Sequence, residues 1–74
     1  MNHDYVELDM SMLSSAAYVV DLVVADRVSC PVGCTVHEED VEVRTDDGCY
    51  LLDPVTMFIA PDDTVYARVK DLQR

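Results

Sequence analysis

Residues 36–53 constrain the fold of this chain more than any other segment. Over residues 36–44, Val41 and Val43 fall on one face of a period-two pattern, and the other face carries Glu38, Asp40, Glu42 and Arg44, which is typical of a half-buried strand. The residues Thr45-Asp46-Asp47-Gly48 then favour a tight turn, with glycine where a positive φ is needed. Residues 49–53 return as the partner strand. The sequence therefore predicts a β-hairpin here.

Further short strands are predicted on both sides of this hairpin. Residues 18–28 are rich in β-branched side chains and predict a long, bent strand, while residues 29–34 contain a proline and a glycine and predict a turn. Pro54 ends or bends the second hairpin strand, and residues 56–60 and 64–69 predict two more strands. About five short strands with tight turns indicate a small antiparallel β-barrel, which leaves no open sheet edge.

The residues before this strand-rich region predict a short helix. Asp9 can cap the free amide groups of a helix over residues 10–17. Helical spacing also links apolar residues as far as Val28, so a single helix over residues 9–28 is the alternative. The predicted fold class is α+β and mostly β: a short N-terminal helix followed by the barrel, in one domain over residues 1–74.

The charge balance restricts the class of partner. Fifteen acidic residues against five basic ones give a formal net charge of −10 over 74 residues. A chain with this charge is not expected to bind nucleic acid or an anionic membrane directly, and a basic protein partner suits it better. Half of the residues are hydrophobic, so the composition is that of a folded chain and not of a disordered acidic tail.

Length and N-terminal sequence bear on activity and location. A chain of 74 residues has no room for a cofactor-binding half and a catalytic half, so neither enzyme activity nor a cofactor is expected. No apolar run approaches the roughly 18 residues of a membrane span. Because Met1-Asn2-His3-Asp4 lacks the basic region of a signal peptide, a cytoplasmic location with reduced cysteines is expected.

Four side chains form the set that most resembles metal ligands. Thiolates and imidazole suit tetrahedral zinc, and the residues concerned are Cys30, Cys34, His37 and Cys49. Their spacing differs from the two close pairs of structural zinc sites, so free cysteines that behave as small apolar residues are the alternative. The paired carboxylates at residues 46–47 and 62–63 fall in predicted turns, where aspartate is favoured for local reasons.

The arrangement of the acidic residues carries more information than their number. Glu38, Asp40 and Glu42 lie two residues apart in the predicted strand, so they are expected to project from one face, about 6.7 Å apart. This spacing is comparable to that of successive phosphates in an extended single strand. Such a row of carboxylates could occupy the basic residues of a groove that holds single-stranded nucleic acid. A solvated charged face is the alternative.

Residues at scattered positions of this sequence resemble those of a known protein family. Residues 51–58, Leu-Leu-Asp-Pro-Val-Thr-Met-Phe, with Pro61 and Thr64-Val65, resemble the C-terminal part of the Rof (Rho-off) family, small cytosolic inhibitors of transcription termination factor Rho. Further matches near the start are Met1-Asn2, Tyr5, Asp9, Leu13 and Ala16-Ala17. The resemblance implies a short N-terminal helix before a small Sm-like barrel. It also implies an acidic protein that engages the RNA-binding region of Rho and blocks RNA loading.

The chain departs from this family at several positions. In the family, acidic side chains in and just before the helix contact Rho. Asp9 could serve in this way, whereas Ser11 and Ser14 stand where two other acids are expected. Pro54 stands where the family tends to place a basic residue, and the middle of the chain around residues 30–34 is shortened.

These observations predict a non-enzymatic acidic inhibitor that binds the basic nucleic-acid-binding region of a larger protein, with Rho as the favoured target. The predicted contact residues combine acids with apolar anchors: Asp9, Met10, Met12, Leu13, Glu38, Asp40 and Glu42. Core packing is the alternative role for the three apolar residues. Alternative functions are a phage-type nucleic-acid mimic that inhibits a DNA-binding enzyme or a CRISPR effector, a small zinc-binding domain, and a salt-adapted module without mimicry.

Overall fold

The strands of the chain close into a small barrel. The computed structural model describes residues 3–10 and 18–73. Within these ranges the elements are β1 (Tyr5–Met10), β2 (Tyr18–Asp21), β3 (Thr35–Thr45), β4 (Gly48–Ile59), β5 (Val65–Arg68) and the short helix α1 (Val69–Leu72). Neighbouring strands follow the order of the sequence, and β5 pairs with β1 to close the barrel. The prediction of a mostly β fold with a small five-stranded barrel is therefore confirmed.

One strand pair differs from the predicted antiparallel arrangement. β2 and β3 run parallel, with Tyr18 opposite Val41 and Asp21 opposite Arg44, whereas the other four pairs are antiparallel. A parallel pair requires a crossover connection of about a dozen residues. Residues 22–34, which join β2 to β3, supply that length. The antiparallel expectation is wrong for this pair because the long connection lets β3 begin at the other end of β2.

The predicted hairpin is confirmed as β3 and β4. Thr45 lies opposite Gly48, and residues 46–47 form the turn between them. Gly48 has φ of 126°, a conformation that an L side chain rarely adopts. The hydroxyl of Thr45 accepts a hydrogen bond from the Asp47 amide at 3.2 Å and donates one to the Gly48 carbonyl at 3.1 Å. Local turn chemistry therefore fixes the register of the hairpin.

β4 is one continuous strand where two were predicted. Val41 on β3 lies opposite Leu52, but Glu39 lies opposite Val55, so the register shifts between these pairs. Two residues of β4, 53 and 54, consequently stand opposite one residue of β3, which defines a β-bulge. Even-numbered residues of β4 face inward before the bulge, and odd-numbered residues face inward after it. Pro54 lies at the bulge, so it bends the strand but does not end it.

The N-terminal residues form a strand where a helix start was predicted. Tyr5–Met10 is β1, and it pairs with β5 and with β2, where Asp9 lies opposite Val19. Asp9 therefore does not cap a helix that begins at Met10. The remainder of the predicted helix, residues 11–17, lies outside the described residues. The alternative single helix over residues 9–28 is wrong because Tyr18–Asp21 is β2.

The predicted long strand over residues 18–28 is also shorter in the structure. β2 ends at Asp21, whose carboxylate accepts a hydrogen bond from the Val23 amide at 3.0 Å, and residues 22–24 form a turn. An aspartate that bonds the amide two residues further on stabilises a turn in place of extended chain. Val28 nevertheless returns to the barrel, where it exchanges two backbone hydrogen bonds with Tyr5.

The barrel interior is filled by aliphatic side chains. The buried cluster contains Val6, Leu8, Val20, Val41, Val43, Val55, Met57, Val65, Ala67 and Leu72. Apart from Leu72, which lies in α1, these residues occupy alternate positions on the inward face of their strands. None of the buried residues in the described ranges is polar or charged. Burial of this aliphatic surface is the main favourable contribution to folding.

The described helix is C-terminal and closes one end of the barrel. α1 inserts the fully buried Leu72 into the core, and the Tyr50 hydroxyl donates a hydrogen bond to the Leu72 carbonyl. The last strand, predicted over residues 64–69, thus ends at Arg68, and α1 begins at Val69. Within residues 3–10 and 18–73, no helix has the length and apolar character needed to cross a membrane.

The two faces of β4 predict different responses to truncation. Met57 is fully buried, so we expect Met57→Ala to lower the free energy of unfolding by about 2–5 kcal/mol. Leu51 lies on the same strand with 51% of its surface exposed. Leu51→Ala is the control, with an expected change within about 0.5 kcal/mol. Urea denaturation followed by circular dichroism measures both, and equal losses would contradict the assigned inward and outward positions.

Candidate partner-binding surface

The negative charge lies entirely at the protein surface. All fifteen acidic residues fall within the described ranges, and none of them is buried. Ion pairs in those ranges join Arg44 to Glu42 and Arg68 to Asp71, and His37 lies against Glu39. Most of the carboxylates therefore face water with no basic side chain of the described residues paired to them, and the surface attracts cations.

The structure places three predicted contact residues along the outer face of β3. Val41 and Val43 point into the core, so the even-numbered residues 38, 40 and 42 point outward. Glu38 is exposed, and Asp40 and Glu42 are half-buried. We call Glu38, Asp40 and Glu42 the acidic row. The alternation seen in the sequence accounts for this arrangement.

Strand pairing brings a fourth predicted residue to the same surface. Asp9 on β1 lies opposite Val19 on β2, and Val19 lies opposite Glu42 on β3. All three occupy outward positions, because their neighbours Leu8, Val20 and Val43 are buried. Two strand spacings separate Asp9 from Glu42, which corresponds to about 10 Å across the barrel. The acidic surface therefore extends sideways from β3 to β1.

Two members of the acidic row interact with groups of this chain. Glu42 accepts a hydrogen bond from Arg44, with 3.0 Å between Oε2 and Nε. At the β-bulge, Asp53 is opposite Asp40. A side-chain hydrogen bond to Asp53, then desolvation, then the charges of Asp53 and Glu39 raise the pKa of Asp40. Asp40 therefore holds a proton more readily than an isolated aspartate.

The predicted apolar anchors are only partly described. Met10 ends β1 and is 61% exposed, so it lies at the rim of the barrel and not in the core. Met12 and Leu13 lie outside the described residues. Their proposed contact with a partner stays a prediction.

The structure brings two of the four candidate zinc ligands together, but not the whole set. Cys30 and Cys34 lie with 3.4 Å between their sulfur atoms, and the Cys34 thiol donates to the Pro31 carbonyl at 3.2 Å. Burial, the hydrogen bond to Cys34 and the charge of Cys34 raise the pKa of Cys30 to about 11, which disfavours the thiolate that a metal requires. His37 instead contacts Glu39, with 2.9 Å between Nε2 and Oε1.

Cys49 is remote from the other three candidate ligands. It pairs opposite Arg44 near the hairpin turn, whereas His37 pairs opposite Met57. Seven residues of β3 separate Arg44 from His37, which is about 23 Å of extended chain. Within the described residues, no group of three or more metal-ligating side chains is present. The four-residue zinc site is therefore not assembled in this structure.

The paired carboxylates of the turns have local roles. Residues 46–47 form the hairpin turn, and residues 62–63 belong to the turn before β5. The Asp62 carboxylate accepts a hydrogen bond from the Thr64 amide at 3.1 Å, and bonds from Thr64 lower the pKa of Asp62. Asp63 has φ of 71°, a left-handed conformation that aspartate tolerates in turns. The prediction that these aspartates are turn residues is confirmed.

An outer group of aromatic side chains was not predicted. The rings of Tyr5 and Phe58 meet edge to face, with centroids 5.6 Å apart and planes at 82°. Tyr66 lies opposite Phe58 on the neighbouring strand. The signal for Tyr5 was present in the sequence, since residues 5–10 alternate with period two, but no strand was predicted there. Only strand pairing reveals that the three rings share one face.

Comparisons with protein-family models, with curated proteins and with solved structures return no match to this chain. The function is therefore argued from the surface geometry.

The carboxyl pair at the bulge predicts a pH-dependent stability. Because the folded protein raises the pKa of Asp40, the folded state binds its proton more readily than the unfolded state does. Stability from this pair is therefore highest at low pH and falls as pH rises through the raised pKa. We expect Asp53→Asn to remove this dependence and to be more stable than the unmodified protein at pH 7.

Denaturation midpoints at pH 4 and pH 7 measure this effect, and carboxyl NMR titration reports the pKa of Asp40 directly. Asp46→Asn, in the hairpin turn, removes one carboxylate far from the bulge and serves as the control. A stability difference between Asp53→Asn and the unmodified protein that stays constant over this range would contradict the coupling.

Proposed function

We propose that this protein is a non-enzymatic acidic inhibitor that occupies the basic nucleic-acid-binding region of a larger protein. The observation that carries the proposal is the acidic row on β3, together with Asp9 on the same outer surface. The predicted partner is thus a protein, and the binding site on it is a groove lined by lysine and arginine.

The geometry of the acidic row suits a groove that binds a polyanion. Outward residues of a strand recur every two rises, about 6.7 Å, so Glu38, Asp40 and Glu42 present carboxylates at nearly regular intervals. Proteins that bind single strands follow the backbone with basic side chains. With a net charge of −10, long-range attraction would also speed the encounter with such a groove.

The interactions within the row are compatible with this role. Arg44 shows that a guanidinium fits against Glu42, at 3.0 Å, on the outer surface of β3. The proximity of Asp40 and Asp53 is unfavourable when both are ionised, and a cation from the partner would relieve it. A basic groove is thus expected to bind this surface more tightly than the number of exposed acidic residues alone suggests.

Transcription termination factor Rho is the favoured target. The scattered resemblance to the Rof family supports it, and so does the small β-barrel, which in that family is Sm-like. A protein of this kind would act in the cytoplasm, block RNA loading and produce antitermination. The Sm-like classification is part of the same proposal.

The second candidate keeps the mimicry and changes the target to a DNA-binding enzyme or a CRISPR effector, as for phage-type nucleic-acid mimics. One observation favours it: Asp9 is on a strand and does not cap a helix at Met10, so the one acid that matched the contact region of the family is presented differently. The acidic row does not depend on the identity of the partner.

A matched set of variants tests the proposal. Glu38→Gln, Asp40→Asn and Glu42→Gln together remove three carboxylates from the acidic row. We expect this triple variant to bind Rho about tenfold more weakly, because three surface ion pairs at about 0.5 kcal/mol each amount to that factor. Asp26→Asn, Asp46→Asn and Asp47→Asn together change the charge equally outside the row and are expected to have a smaller effect.

Rho-dependent termination in vitro, with RNA competition for Rho binding, provides the measurement. The unmodified protein should reduce termination and displace RNA, and added salt should weaken both effects. Unchanged termination at a large molar excess would exclude Rho, and a pull-down from host lysate would then name the partner. Equal affinities of the two triple variants would show that the acidic row is not the contact surface.

A further inference from the structure

The outer face of the barrel carries a row of side chains that crosses four strands. Val36 on β3 lies opposite Phe58 on β4, Phe58 lies opposite Tyr66 on β5, and Tyr66 lies opposite Glu7 on β1. Tyr5, two residues before Glu7 on the same face, packs edge to face on Phe58. We call Tyr5, Phe58 and Tyr66 the aromatic patch.

The core does not require the aromatic patch. The buried cluster is aliphatic, and the residues beside the patch in sequence, such as Val6, Met57 and Ala67, supply the inward contacts. The three rings are half-buried on the outside, and the adjoining Val36 is 65% exposed. Tyrosine and phenylalanine at partly exposed positions are typical of the centres of protein interfaces.

Acidic residues lie beside the aromatic patch. Glu7 on β1 is opposite Tyr66, and desolvation first, and then the charges of Asp62 and Glu7, raise the pKa of Tyr66. On the β3 side, Glu38 stands two residues beyond Val36 on the same outer face. The patch is therefore continuous with the acidic row on its β3 side and has a carboxylate beside it on β1.

Arg68 shows what kind of group this surface accommodates. Its guanidinium carbon lies 5.5 Å from the centroid of Phe58, in cation–π geometry, and its Nε lies 2.7 Å from Oδ2 of Asp71. The guanidinium is thus held by a ring beneath it and a carboxylate beside it. Tyr66, with Glu7 and Asp62 nearby, offers the same combination of ring and carboxylates.

We infer that the aromatic patch is the apolar centre of the partner interface, and that it receives arginine side chains of a basic protein surface. This inference rests on the proposed function and specifies the partner chemistry, since arginine stacks on aromatic rings while it pairs with carboxylates and lysine does so less well. It also assigns to Tyr5, Phe58 and Tyr66 the anchoring role predicted from sequence for Met10, Met12 and Leu13.

Peptide titrations test the inference on the intact protein. Isotope-labelled protein is titrated at low salt with an arginine octapeptide and, separately, with a lysine octapeptide of equal charge. We expect the arginine peptide to bind about two- to fivefold more tightly and to shift the amide signals of the aromatic patch. Tyr66→Leu should abolish this preference, whereas Tyr66→Phe, which keeps the ring, should retain it.

Val24→Ser, at a 74% exposed position of the turn after β2, is the control and should bind like the unmodified protein. Signal shifts confined to the acidic row, with equal affinities for both peptides, would overturn the inference and leave the proposed function standing. If neither peptide binds, both the inference and the proposed function are overturned. The amide signals that shift in the unmodified protein show whether the peptide contacts the aromatic patch or only the acidic row, so the test does not depend on whether a variant folds.

Discussion

The register shift between β3 and β4 is the constraint on which both the core and the surface depend. β4 pairs with β3 along its whole length and with β5 at its C-terminal end, so both halves must face the same interior. Strict alternation from Tyr50 would turn Pro54 and Thr56 inward and Val55 and Met57 outward. The bulge restores Val55 and Met57 to the core, and it also sets Asp53 against Asp40.

The local parts of this fold could be predicted from the sequence, and the parts that depend on distant pairing could not. The alternation in β3 and the turn before Gly48 are determined by neighbouring residues. The parallel pairing of β2 with β3 depends on the path of residues 22–34, which carry no pairing pattern of their own. Pro54 made β4 look like two strands, whereas in the structure it lies at the bulge, where pairing with β3 continues on both sides.

The candidate surface also has features that the sequence alone predicts and features that depend on distant strand pairing. The acidic row follows from alternation, so Glu38, Asp40 and Glu42 could be placed on one face from sequence alone. The raised pKa of Asp40 could not be predicted, because it depends on Asp53, which the bulge sets against Asp40. The proximity of Asp9 to Glu42 likewise requires β2 to lie between β1 and β3. A surface assembled from several strands is visible only once the barrel is closed.

Charge and aromatic contact supply different parts of an association. The attraction of exposed carboxylates acts over about 10 Å at 0.1 M salt and speeds encounter, but each exposed ion pair adds little to the lifetime of a complex. Rings that strand pairing already holds in place lose little conformational entropy when a partner covers them. In this barrel the aliphatic residues fill the interior, and Tyr5, Phe58 and Tyr66 remain outside, beside the carboxylates. The acidic residues would then attract a basic partner, and the rings would retain it.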